Sequence, residues 1–245
     1  SYRTYNNPKG IEEGLKGDLN YNTNSCGALQ SDIVLQPGET KELTYVLGGQ
    51  KTEAEITEII AKYEKSGTVD AELAALKKFW HSKLDNLQVH TPDANFNNMV
   101  NTWNAYNCFI TFIWSRAASF QYCGLRNGFG YRDTVQDIQG VIHLAPEMAK
   151  KQIEFMLSAQ VTNGAGLPLV KYDHKAGQEN HPDENDENSV YAKQTGHPSY
   201  RADDALWLFP TVYKYVSESG DSAFLDEEIL YANDGEKGTV YDHLK

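Results

Sequence analysis

The densest run of chemistry-bearing residues in this chain is Cys123 to Asp137, CGLRNGFGYRDTVQD. Gly124, Gly128 and Gly130 lie close together in it, and Arg126, Arg132, Asp133 and Asp137 supply charge of both signs. Glycine weakens a helix by about 1 kcal/mol per residue. No stable helix is therefore expected before Tyr131, and both arginines are placed on a loop. Glycine also lets backbone come close to a ligand. Guanidinium donors in a fixed fork, with carboxylate acceptors beside them, suit a sugar ring, whose hydroxyls need both. The stretch therefore reads as a sugar-binding loop. The same residues admit a structural reading. Asp133, with Gln136 three residues on, has the form of a capping-box variant, and Arg126 could be an ordinary surface arginine.

Other candidates flank this stretch. Arg116, in WSRAAS, stands near the end of a long apolar run, where a charge is costly unless paired. Asp203 and Asp204, in YRADDALWLF, repeat the carboxylate theme; one should cap a helix and leave the other to face a cleft. Trp207 reads as core rather than as a stacking platform for a sugar. The acidic run HPDENDEN lacks the spacing and glycine of a calcium loop and reads as a solvated loop. His174, His181 and His197 have no zinc-like spacing, so no metal site is expected. Cys26, Cys108 and Cys123 are an odd count without metal spacing, which fits free thiols in a reducing compartment.

The totals bound the alternatives. The 245 residues carry a net charge of −12 and no Lys/Arg-rich run. Nucleic acid and anionic membranes call for clustered cations, so neither is expected as a partner. No apolar run approaches the roughly 20 residues needed to span a bilayer. No dinucleotide fingerprint, P-loop or His-Glu-x-x-His motif occurs, and no cofactor is expected.

The elements that must position these residues change character along the chain. Residues 1–50 read as β and loop, with SDIVLQPGETKELTYVLGG forming two alternating runs around a Pro37-Gly38 turn, a hairpin signal. Such a hairpin needs more sheet than the chain supplies. KTEAEITEIIAKYEKSG and TVDAELAALKKFWHSKLDNL follow as helices with apolar residues at helical spacing, the first ended near Gly67 and the second before Pro92. FNNMVNTWNAYNCFITFIWSRAAS predicts one long helix, apolar nearly all round and hence buried in a large helical layer. Further helices are predicted in DTVQDIQGVIHL, PEMAKKQIEFMLSAQ, DDALWLFPTVYKYVSESG and DSAFLDEEILYA, with Pro146 at a helix start and Gly220 just past a helix end. Val161 to Ala202 is a very long loop, of the length that is usually functional or disordered. Both termini read as cut: the chain begins without Met, and GTVYDHLK starts an amphipathic pattern that ends within a turn. An internal fragment of a longer protein, or one piece of a nicked one, is expected.

WSRAASFQYCGLRNGFGYRDTVQDIQGVIHL, followed by YRADDALWLFPTVYKYVSESGD, resembles the inverting disaccharide phosphorylases of glycoside hydrolase family 94, such as the cellobiose, laminaribiose and diacetylchitobiose phosphorylases. The resemblance implies a mostly α chain with a β N-terminal part. Residues 1–50 would be the end of a β-sandwich, 51–90 linker helices, and 91–245 the first part of an (α/α)6 barrel. It implies reversible phosphorolysis of a β-linked glucose disaccharide, inorganic phosphate being the co-substrate, to α-glucose 1-phosphate and a free sugar with inversion. It places Arg126, Asp133 and Arg116 around the donor sugar, with Asp203 and Asp137 as further candidates. The family's general acid lies in a Trp-Asn-Asp motif, which this chain lacks. It is expected beyond Lys245, in the remainder of the same polypeptide. None of Asp133, Asp137, Asp203 or Asp204 takes that role, and the isolated chain is expected to be inactive. The 161–202 loop is a candidate reader of the acceptor sugar, and its sequence leans towards a laminaribiose-type or other β-glucobiose specificity. A homodimer is expected by resemblance, and a cytoplasmic location because phosphorolysis needs intracellular phosphate and no export signal is seen. The competing readings are a glycoside hydrolase or a cyclic β-glucan synthase module on the same fold, and a non-catalytic sugar-binding protein.

Overall fold

The computed structural model describes residues 28–114, 128–177, 203–233 and 235–245, together with Gly10 and Gly14. It is mostly helical, and it divides into two compact units, Ser1–Val69 and Asp70–Lys245.

In the first unit, Pro37 and Gly38 do form the expected turn. Glu39 N–H donates to the Gln36 carbonyl at 2.9 Å, and Gly38 has φ +82°, the backbone that a type II turn requires at that position. The two arms touch through side chains only. Lys41 Nζ donates to the Val34 carbonyl at 3.1 Å and the Tyr45 hydroxyl to Ser31 Oγ at 3.1 Å. No strand ladder forms between residues 28 and 50. Leu29, Val34 and Leu47 stay exposed. Two short arms that bury neither face gain too little to hold a ladder. Helix α1, Glu53–Tyr63, starts on a reciprocal capping box. Glu55 N–H donates to Thr52 Oγ1, and Thr52 N–H donates to Glu55 Oε2.

Helix α2, Thr68–Leu84, leads into the second unit. Asp93 then caps α3, Ala94–Asn98, by accepting from Asn95 and Phe96 N–H. Over residues 94–114 the apolar run is one continuous helical stretch, but with a π-helical segment at Met99–Asn104 between α3 and α4, Ala105–Trp114. Burial departs from the sequence reading. Only Ala105, Phe109 and Phe112 of α4 are buried, while Trp103, Ile113 and Trp114 remain exposed. One face of the helix is covered rather than all of it. That face meets α2 through aromatic edges, with Trp80 5.4 Å from Phe109 and 5.3 Å from Tyr106.

The centre of the unit is a set of three mutually packed helices: α5 (Tyr131–Ile138), α6 (Pro146–Leu157) and α7 (Leu208–Ser219). Each contributes buried residues at helical spacing: Tyr131, Val135 and Ile138; Ala149, Ile153 and Met156; Leu208, Val212 and Tyr215. Pro146 takes the first turn of α6, where its missing N–H costs nothing. Gly220 ends α7 in the left-handed conformation, φ +74°. Gly140, just after α5, lets Cys108 of α4 come close; a Cβ there would lie 3.2 Å from the sulfur. Polar groups cross-link the layers. Lys150 of α6 binds Asp221 at 3.0 Å and Glu227 at 2.6 Å, and the Tyr215 hydroxyl donates to the same Asp221 carboxylate at 3.0 Å. Those partners hold the Lys150 ammonium well above its ordinary pKa.

One predicted helix is absent. DSAFLDEEILYA begins as a 3₁₀ turn, Ser222–Asp226, and then becomes strand β3, Glu228–Leu230, which pairs antiparallel with β4, Lys237–Thr239. Gly235, at φ +75°, lies between the strands. A one-turn helix α8, Val240–His243, follows on a Thr239/Asp242 capping box.

Candidate functional site

The glycine-rich stretch ends in strand β1, Gly128–Gly130, which pairs antiparallel with β2, Leu169–Lys171. The partner strand lies inside the long segment that reads as loop in the sequence. Gly128 explains the close fit: a Cβ there would overlap the Val170 carbonyl. This glycine brings backbone close to backbone. Tyr131 N–H continues the contact to the Pro168 carbonyl at 3.4 Å.

Helix α5 begins immediately after β1, three residues earlier than the capping-box reading places it. Gly130 is the N-cap, in extended backbone and without a side-chain cap, so Arg132 and Asp133 both stand on the first helical turn. Asp133 is not the cap and Arg132 is not on a loop. The physical reason is that Gly130 itself is the end of a strand, and the helix needs no further unwound residue to start. An acidic residue on a first turn suits the helix dipole. The Asp133 carboxylate folds back towards Gly130, where a Cβ would lie 3.4 Å from Oδ2.

Tyr131 anchors the turn from below. It is 1% exposed, and its ring lies flat over Gly166, where a Cβ would come within 2.8 Å of three ring carbons. Burial, reinforced by the nearby Asp204 charge, pushes its phenol far above the ordinary range. Its hydroxyl has no hydrogen-bond partner among the described residues.

Arg132 reaches across to Asp203, Nη1 to Oδ2 at 3.1 Å, between side chains 38% and 50% exposed. Each shifts the other: Asp203 raises the guanidinium's proton affinity, and Arg132 holds Asp203 below the usual carboxylate range. The nearby Trp207 side chain lowers it further. Asp204 is buried at the start of a 3₁₀ turn, Ala205–Trp207, but its side chain makes no cap hydrogen bond. The expected cap is therefore not supplied by the Asp204 side chain, and Asp203 is engaged by Arg132. Trp207 is 36% exposed, at the rim rather than in the core.

Of the sequence-predicted site residues, Asp133 and Asp137 lie four apart on α5, both half-buried, and Asp203 is joined to the same helix through Arg132. Arg116 and Arg126 lie outside the described residues, as do Cys26, Cys123, His181, His197 and the acidic run. His174 is held by the Ser158 carbonyl at 2.9 Å and meets the Phe155 ring edge-on. Cys108 is a free, half-buried thiol. Among the described residues no group of three His, Cys, Asp or Glu side chains is placed to hold a metal ion, and no helix is long and apolar enough to cross a membrane. The sequence reading missed Gly166 and the Arg132–Asp203 pair. The pair spans 71 residues, and no local pattern reports it.

With this geometry in hand, comparison with known proteins defines the class. The chain belongs to the glycosyl hydrolase 94 superfamily: the model of that family's catalytic domain matches residues 79–245, and the model of its supersandwich domain matches residues 1–66. More particularly, the chain is 36% identical to the N,N'-diacetylchitobiose phosphorylase of Vibrio proteolyticus over 100% of its own length and 31% of the relative's. It is 37% identical to the enzyme of the same name from Vibrio furnissii, over 99% of this chain and 31% of that one. A cyclic beta-(1,2)-glucan synthase of Rhizobium meliloti is 26% identical over 91% of this chain and 7% of the relative. The chain thus spans about a third of the length of the phosphorylases it matches, 31% in each case.

Proposed function

We propose that this chain is part of an inverting glycoside phosphorylase and supplies the floor of its donor-sugar subsite. The observation that carries the reading is the family match across residues 79–245, which contains the whole Arg126–Asp133 stretch. Asp133, on the first turn of α5, accepts from sugar hydroxyls. Arg126 and Arg116 donate to them. Asp137, one turn further along α5, completes the carboxylate side of the site, and Asp203 borders it in its ion pair with Arg132.

The reaction needs no enzyme nucleophile. Inorganic phosphate attacks the anomeric carbon of a β-linked disaccharide from the face opposite the leaving sugar. The bond from that carbon to the bridging oxygen breaks as an acid delivers a proton to the oxygen. The products are an α-sugar 1-phosphate and a free sugar. No residue of this chain is assigned the acid; its contribution is to bind and orient the donor ring. Phosphate is co-substrate, and no cofactor enters. Residues 1–50 belong to the β-sandwich, 51–90 to linker helices and 91–245 to an (α/α)6 barrel. The protein works as a cytoplasmic homodimer, with the rest of the polypeptide completing the site.

The test is phosphate release by the full-length protein from a sugar 1-phosphate and a panel of acceptor sugars. Two similar relatives are named for diacetylchitobiose. The panel therefore pairs N-acetylglucosamine 1-phosphate as well as glucose 1-phosphate with both glucose and N-acetylglucosamine. Acceptor-dependent release supports the reading and names the acceptor. Hydrolysis of β-glucan in phosphate-free buffer, with no release, would replace it with a hydrolase. Formation of a cyclic glucan would favour a synthase like the Rhizobium relative.

A further inference from the structure

We infer that Arg132 and Asp203 are a positioning pair that fixes the first turn of α5, and with it the direction in which Asp133 is presented to the donor sugar. The inference rests on the phosphorylase reading above and deepens it.

Arg132 and Asp133 are consecutive on a helical turn, so their side chains leave the axis about 100° apart and do not face each other. Arg132 points to Asp203, 3.1 Å away, at the entry to α7. The Trp207 side chain, on the following 3₁₀ turn, also favours the charged form of Asp203. The guanidinium has Asp133, Asp203 and Asp204 around it, and all three carboxylates favour its charged form. Arg132 is thus committed to the protein, and it ties the start of α5 to the start of α7.

The other side of the same turn is fixed by different means. Gly128 seats β1 against the Val170 carbonyl, and Tyr131 packs flat on Gly166. These contacts hold the strand and the first residue of the helix. The buried Val135 and Ile138 hold the inward face of α5, and on its outward side Arg132, next to Asp133, adds the tie to the start of α7. An ion pair this exposed adds little to folding stability. Its planar, directional geometry is what remains to account for it. A displacement of about 1 Å at a substrate-holding group can lower rate by about a hundredfold.

The experiment measures kcat and KM for phosphorolysis in the full-length protein for R132Q, R132K, D203N, R132D, D203R and the charge-swapped double variant R132D/D203R, each with its melting temperature and circular dichroism spectrum. The expected result is a drop in kcat/KM of roughly ten- to a hundredfold in R132Q and D203N, with near-wild-type melting. R132K should be impaired as well, because a point charge does not reproduce the fork. The double variant should recover activity over either of its component single variants. Unimpaired kcat/KM in R132Q and D203N overturns the pair, and so does a double variant no better than the worse of R132D and D203R. Loss of melting temperature with wild-type turnover per folded molecule would make the pair purely structural and overturns it too. A wild-type protein that performs no phosphorolysis, or a fully active D133N, overturns the underlying reading and the pair with it. That result is distinct from active wild type with indifferent pair variants.

Discussion

Gly166→Ala is the substitution that most sharply tests how α5 is seated. Gly166 does not have positive φ, so alanine meets no backbone strain there. The added Cβ would instead lie 2.8 Å from three ring carbons of Tyr131. Ordinary carbon contacts are about 3.5–4.0 Å, so the ring or the 166–170 backbone must yield by roughly 1 Å. The ring cannot move outward, because Tyr131 is 1% exposed and packed on all sides. Overpacking of this kind costs about 1–3 kcal/mol, and the entropy that alanine removes from the unfolded chain offsets about 0.4–1 kcal/mol. A net loss of about 1–2 kcal/mol remains, which corresponds to a melting temperature lowered by roughly 2–8 °C. Donor-sugar affinity should fall in parallel, since Asp133 is only two residues beyond Tyr131. Thermal denaturation of the full-length protein measures the first effect and KM for the sugar 1-phosphate the second. Gly164→Ala is the control. It has open space around it but φ +89°, so it should lose about 1–2 kcal/mol from backbone strain alone and leave KM unchanged. A Gly166→Ala protein as stable as wild type, with unaltered KM, would refute the packing argument.

Thr211→Val removes a fully buried hydroxyl that donates towards the Val135 carbonyl and accepts from Gln139 Nε2, both at 2.9 Å. Leaving those groups unpaired should destabilise by about 1–3 kcal/mol, read by denaturant titration. His243 gives a pH signature. Its Nδ1 lies 2.8 Å from Gln160 Oε1 and its Nε2 3.2 Å from the Ile229 carbonyl. Burial lowers its pKa, against the opposing pull of that carbonyl and of Asp242. The unfolded chain therefore takes up a proton near pH 6.5 that the folded one resists. Stability present above that pH should decline as pH falls from about 6.5 to the lower folded value. Melting scans of wild type against His243→Gln check it, and an identical slope in both would count against the assignment. Asp133→Asn and Arg126→Gln should each reduce kcat/KM about a hundredfold with little change in melting temperature; retained activity in either would remove that residue from the donor site.

Local signals were legible wherever one residue type meets one backbone demand. Pro37-Gly38, Pro146 and Gly220 all stand where their chemistry places them. The family was legible too, from the arginine–glycine–aspartate stretch and the helix after it. What failed depended on partners far along the chain. The helix start at Tyr131 was misplaced because β1 is only three residues long and exists through pairing with 169–171. A strand that short leaves no alternation to read. DSAFLDEEILYA carries acidic and apolar residues that suit a helix, yet Ile229 and Leu230 join a hairpin whose turn contains Gly235. The Asn233 to Gly235 stretch is a turn signal and could have revealed it. Trp207 and the outer face of α4 read as core because apolar character was the only information available; what covers an apolar face is not written in its own periodicity.

The most direct test of the account is the fate of a β-linked disaccharide, N,N'-diacetylchitobiose or a β-glucobiose, incubated with the full-length protein with and without inorganic phosphate and followed by proton NMR of the anomeric region. The account predicts that the disaccharide is consumed only when phosphate is present, and that the first new anomeric signal belongs to an α-configured sugar 1-phosphate. Consumption without phosphate, yielding two free sugars, or a β-configured phosphate product, would contradict it.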